Sequence, residues 1–199
     1  MKKATEIHLH EVARTLPRHR LAVELGAATA FAALTALGAR AQFHLPFTPV
    51  PVTGQVLCVL LAGAVLGARL GFVSQVEYLA AGAAGLPVFA HGGGPGALVG
   101  PTSGYLVAFP LAALVVGALS GERGNGGNGR VLLACLCGVA VIYVFGAAWY
   151  GVWAAIIGST AGVVVVLAQS VFPFVAFDAV KAGLAAALAP RLRGKLSLG

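Results

Sequence analysis

Charge is scarce in this chain of 199 residues: only 10% are Asp, Glu, Lys or Arg, while 59% are hydrophobic. Soluble domains carry roughly 25% charged and 45–50% apolar residues, so this composition, with a mean hydropathy of +0.92, is that of an integral membrane protein. Long polar stretches are missing as well. At this length the chain has room for one domain of about six spans of ~20 residues, which excludes a soluble ATPase or dehydrogenase head within it. There are three cysteines, Cys58, Cys135 and Cys137, all in apolar runs, and they read as small buried hydrophobes rather than a metal or redox set. No nucleophile, metal set or pair of facing acids emerges, which argues against an enzyme. There is one aspartate, Asp178, and it stands inside the apolar run "VFPFVAFDAVKAGLAAALAP".

What is present is organised by glycine and proline. Residues 21–41 form an alanine-rich first span, and "QFHLPFTPVPVT" follows it, with Pro46, Pro49 and Pro51 forbidding a continuous helix there. Spans two (54–68) and three (72–84) are short and joined by a tight turn at 69–71. The loop "HGGGPGALVGPTSG" separates them from spans four (105–119), five (131–155) and six (161–189). A polar link, "SGERGNGGNGR", joins spans four and five. The expectation is an all-α integral membrane protein, a six-transmembrane-helix bundle. It comprises a cytoplasmic N-terminal tail (1–20), a six-helix membrane domain (21–190) and a basic cytoplasmic C-terminal tail (191–199).

The formal charge of +7 does not indicate nucleic acid, because the basic residues sit beside the ends of apolar segments. With the N-terminus inside, eleven of the thirteen Lys and Arg fall on the cytoplasmic side, Arg40 alone falls outside, and Lys181 lies within a span. That asymmetry places both termini in the cytoplasm and the two unusual loops, 42–53 and 91–103, on the outer face.

A carboxylate at mid-helix costs roughly 2.5–3.5 kcal/mol in a bilayer, so it is rarely kept without a partner or a task. Lys181 is three positions from Asp178 and hence on the same helical face. Three readings remain open: a structural ion pair, a polar pocket for a ligand, and a proton relay. Glu77 either lines the same cavity or pairs with another chain. Gln55, Thr102, Ser103, Tyr105, Tyr143, Trp149, Tyr150 and Trp153 add donors and aromatic surface near the outer half, where each alone fits an interfacial aromatic belt or a helix–helix hydrogen bond better than a ligand contact. The glycine-rich loop lacks the Lys-Ser/Thr ending of a phosphate-binding loop and reads as a lid. His91 beside it reads as a loop residue, since no second His or Cys stands at ligand spacing, and no metal site is expected. Span one repeats small residues at every fourth position, Ala22–Gly26–Ala30 and Ala28–Ala32–Ala36, the mark of a helix that docks closely against another.

"FTPVPVTGQ", "LGARLG", "YLAAGAAGLPVFAHGGG", "GPTSGYLVAFP" and the "DAVK" of span six, in this order, resemble the BioY family over about residues 25–185. These are the biotin-specific S components of energy-coupling factor (ECF) transporters. The resemblance implies a non-catalytic membrane subunit that binds biotin near the outer face, covered by the loops after spans one and three. It would work with a transmembrane T component and two cytoplasmic ATPases, in a bacterial cell membrane. No cofactor is implied in this chain, and ATP and Mg would act only through the partner ATPases. Asp178 and Lys181 match the family's D-x-x-K and Tyr105 its GY tyrosine. Gln55, Phe47, Phe89 and Trp149 are candidates to complete the biotin site, and Gly26, Ala28, Ala32 and Ala36 to dock the partner helix. Which pole of biotin Lys181 meets is left open, and no role carries over for Glu77. A self-sufficient secondary transporter or facilitator for biotin or another small vitamin is the alternative, weakened by the lack of an inverted repeat.

Overall fold

The computed structural model describes residues 2–121 and 127–195. Six α-helices and one small hairpin make up the described chain: α1 (Lys2–Arg40), β1 (Gln42–Phe43), β2 (Val52–Thr53), α2 (Gln55–Ala83), α3 (Ser103–Leu119), α4 (Asn128–Ile156), α5 (Val163–Ser170) and α6 (Val175–Lys195). A single 3₁₀ turn, Pro95–Leu98, lies between α2 and α3. The centre of the polar link, 122–126 with Arg123, and the last four residues of the basic tail lie outside the described residues.

By length and composition, Arg20–Arg40, Gln55–Ala83 and Asn128–Ile156 can each cross a membrane, and the bent pair α5–α6 makes a fourth candidate. The outward side chains include Leu37, Val144, Ile156 and Val164, which suit lipid. α2 sits at the centre, packed on α1, α3 and α6, and α4 closes the bundle between α3 and α6.

Three boundaries differ from the sequence expectation. α1 runs unbroken across residue 20, so the helix extends into the expected tail, while its apolar part, Arg20–Arg40, keeps the bounds of the expected first span. The second difference is where α2 breaks: at Gly67 (φ 82°, ψ 179°), two residues before the expected turn, in a backbone region open essentially to glycine alone. There it doubles back. Gln55 Nε2 donates to the Tyr78 hydroxyl, whereas 23 residues of straight helix would hold them about 34 Å apart. The two halves of α2 are therefore antiparallel limbs. They pack so closely that a Cβ on Gly71 would lie 2.9 Å from Gly63 Cα. Glycines serve α3 in the same way, since a Cβ on Gly117 would lie 2.2 Å from Ala68 N.

The third difference bears on function. The expected span six is broken between α5 and α6 with a 46° bend, and Pro173 lies in the break, where its missing N–H and ring interrupt the helix. Asp178 thus stands in the first turn of α6 rather than at mid-helix. The partial positive charge of a helix N-terminus favours a carboxylate there.

At the loop end, β1 and β2 pair antiparallel, Gln42 with Thr53 and Phe43 with Val52, and the three prolines lie in the connection. Gly54 N–H donates to the carbonyls of Gly38 and Ala41, at 2.9 Å each, tying this hairpin to the end of α1.

Candidate substrate-binding site

The chain encloses a cavity of about 450 Å³. Its walls come from the segment 49–53, the start of α2, the loop between α2 and α3, and inward faces of α3, α4 and α6. Most of the surface is apolar, contributed by side chains such as Phe89, Phe109, Ile142 and Phe174.

Asp178 and Lys181 form its polar centre. Asp178 is 3% exposed, and Lys181 Nζ donates to its Oδ1 at 2.7 Å. The Tyr143 hydroxyl donates to Oδ2, also at 2.7 Å. All three residues line the cavity. A carboxylate has about four acceptor sites and an ammonium three donors, so one donor to each oxygen leaves capacity on both groups. The arrangement presents a donor and an acceptor side by side, with no net charge.

Gln55, Tyr105 and Phe89 line the same cavity. The Gln55–Tyr78 contact continues to Val88, whose carbonyl accepts from the Tyr78 hydroxyl at 3.2 Å. The Phe89 ring meets Tyr78 edge-on at 5.3 Å and occupies space left by Gly82, where a Cβ would fall 2.0 Å from the ring. A residue without a side chain on α2 thereby positions an aromatic wall. Tyr105 presents its ring, since its hydroxyl donates to the Ser170 carbonyl at the end of α5. This contact and the 2.6 Å bond from Thr48 Oγ1 to the Gln169 carbonyl hold the break above Asp178.

Two candidates stand elsewhere. Phe47 is 55% exposed and does not line the cavity. Trp149 is outside the lining and donates from Nε1 to the Gly100 carbonyl at 2.8 Å, anchoring the loop that covers the cavity. Glu77 is not in the cavity either, and accepts from Thr29 Oγ1 at 3.0 Å. Among the docking candidates, Ala28 and Ala32 are buried within the chain and Ala36 is half-buried, α1 packing mainly on α2. Gly26 is exposed, with nothing within 4 Å of an added Cβ. Gly26 is thus open on the surface of α1, whereas Ala28 and Ala32 are not.

Tyr143 is one of the outer-half donors named from the sequence but not one of the candidates for the biotin site. It lies 35 positions from Asp178, and only the packing of α4 on α6 brings the two together.

Comparison with known proteins gives a consistent result. The family model described as "BioY family" matches residues 10–197. A probable biotin transporter BioY of Pyrococcus horikoshii is 41% identical over 175 residues, covering 87% of this chain and 98% of the relative. The biotin transporter BioY of Thermotoga maritima is 38% identical over 164 residues, covering 82% and 91% respectively. The fold matches the crystal structure at 2.1 Å of the S-component for biotin from an ECF-type ABC transporter. That match has a TM-score of 0.74 over 86% of this chain and 90% of the other, at 24% identity.

Proposed function

This chain belongs to the BioY family, and from that premise we propose that it is the biotin-binding S component of an ECF-type, ATP-driven vitamin transporter. It captures biotin at the outer face of the cell membrane and hydrolyses nothing itself. A T component and two cytoplasmic ATPases supply the energy. α1, the two limbs of α2, α3, α4 and the bent α5–α6 pair make six passes, with both ends in the cytoplasm as the distribution of Lys and Arg directs.

The observation that carries the reading is the Asp178–Lys181–Tyr143 cluster inside a mainly apolar cavity of ligand size. Biotin has an apolar fused ring, a ureido group with two N–H donors and a carbonyl, and a carboxylate. A neutral donor–acceptor pair matches the ureido group at both of its functions, Asp178 accepting N–H and Lys181 donating to the carbonyl. A carboxylate would meet Lys181 only beside the like charge of Asp178, so we place the ureido pole at this cluster. Phe89, Phe109 and Phe174 then face the ring. Of the small-residue rows on α1, the exposed Ala22–Gly26–Ala30 row is the one available to the T component.

Uptake of labelled biotin into vesicles tests this reading. With the T component and ATPases present, uptake should require ATP. Undiminished uptake by the chain alone would instead make it a self-sufficient transporter.

A further inference from the structure

His44 and His91 are 47 positions apart in sequence, one in the loop after α1 and the other in the loop after α2, and the fold brings them together. Their Nε2 atoms stand 3.3 Å apart with ring centroids at 5.5 Å. One ring can donate to the other at this separation, the tautomers deciding which, but the separation is not a hydrogen bond's alone. It equals the spacing of two ligands on one tetrahedral ion: with metal–nitrogen bonds of about 2.0–2.1 Å, the tetrahedron's edge is about 3.3–3.4 Å.

The two loops are held in place by other means. Gln42 Nε2 donates to the Ala90 carbonyl at 2.9 Å, and the Arg40 guanidinium donates to the Pro87 carbonyl. The imidazoles are therefore presented at ligand spacing by a scaffold that does not depend on them, which lowers the ordering cost of binding an ion. Both rings are exposed, so water can complete the coordination, and His91 also lines the cavity mouth. No group of three or more His, Cys, Asp and Glu suited to a metal occurs among the described residues, which therefore supply two ligands at this place.

We propose that His44 and His91 form a two-imidazole site for a late divalent transition metal such as Zn²⁺, and that the ion ties the two loops together at the mouth of the cavity. Imidazole nitrogen suits these ions, whereas Mg²⁺ and Ca²⁺ prefer oxygen. The chain has five histidines, and His8, His10 and His19 all lie in the N-terminal half of α1, so the controls are single substitutions that leave those three in place.

The experiment is calorimetric titration of the purified chain with Zn²⁺, without biotin, alongside His44→Gln and His91→Gln, followed by thermal unfolding with and without the metal. The native chain should bind one more Zn²⁺ than either variant, and Zn²⁺ should raise the unfolding midpoint of the native chain only. Equal Zn²⁺ uptake, or an equal shift in midpoint, in the native chain and either variant would overturn the site. Because no biotin is used, this outcome is independent of the biotin reading.

Discussion

Lys181→Met should destabilise the chain, and adding Asp178→Asn should restore stability without restoring biotin binding. The Lys181 and Asp178 side chains are only 15% and 5% exposed, and they meet at 2.7 Å. Removing one member of such a pair typically costs about 3–5 kcal/mol, because an uncompensated charge stays buried. Here the Tyr143 hydroxyl and the N-terminus of α6 still face the carboxylate, and a helix terminus contributes about 0.3–1 kcal/mol. A net loss of about 2–4 kcal/mol is expected. At about 2–4 °C per kcal/mol for a chain of this size, the unfolding midpoint should fall by roughly 5–15 °C. The double variant holds two neutral, near-isosteric groups, and the amide carbonyl that replaces the Asp178 carboxylate can still accept from Tyr143, so its midpoint should return to within a few degrees of native. Biotin would lose two charge-assisted hydrogen bonds of about 1.5–3 kcal/mol each, which corresponds to at least a hundredfold loss of affinity. Thermal unfolding in detergent and biotin calorimetry read the two effects separately. A double variant that binds biotin as the native chain does, or that is less stable than Lys181→Met alone, would show the pair to be structural and refute the reasoning.

Gly82→Ala should push the Phe89 ring off the cavity wall, lowering biotin affinity and costing about 1–3 kcal/mol through overpacking; calorimetry on the folded variant reads the affinity, and unchanged affinity would count against Phe89 as a wall. Gly26→Leu should reduce co-purification with the T component and ATPases while leaving biotin binding intact. Ala28→Leu should act otherwise, costing about 1–3 kcal/mol through overpacking in the chain's own core, seen as a lower midpoint before any partner is added. Gly67→Ala places a side chain where φ is 82° and ψ 179°, and should lower the midpoint without altering biotin affinity in the folded fraction.

The membrane class and the Asp178–Lys181 pair were legible because they rest on local features: composition, apolar runs, and a spacing of three on one helix. Pro173 was in view too, yet the apolar run of span six masked the break it causes, and with it the reason a carboxylate is tolerated at 178. The α2 reversal was expected two residues late, at 69–71, because the backbone conformation that Gly67 adopts leaves no mark in the apolar pattern. Tyr143, Trp149 and the two alanine rows depend on which helix faces which. Ala28–Ala32–Ala36 and Ala22–Gly26–Ala30 have the same spacing, and only the packing of α1 on α2 buries the first and exposes the second. The His44–His91 contact is likewise a product of two loops meeting, invisible to any search for ligands at short spacing.

The most direct measurement is titration of biotin into the purified native chain in detergent, with no T component or ATPase present. Saturable binding at one biotin per cavity, lost in the Asp178→Asn/Lys181→Met chain, is the predicted result. A well-folded native chain that binds no biotin would contradict the account at its centre.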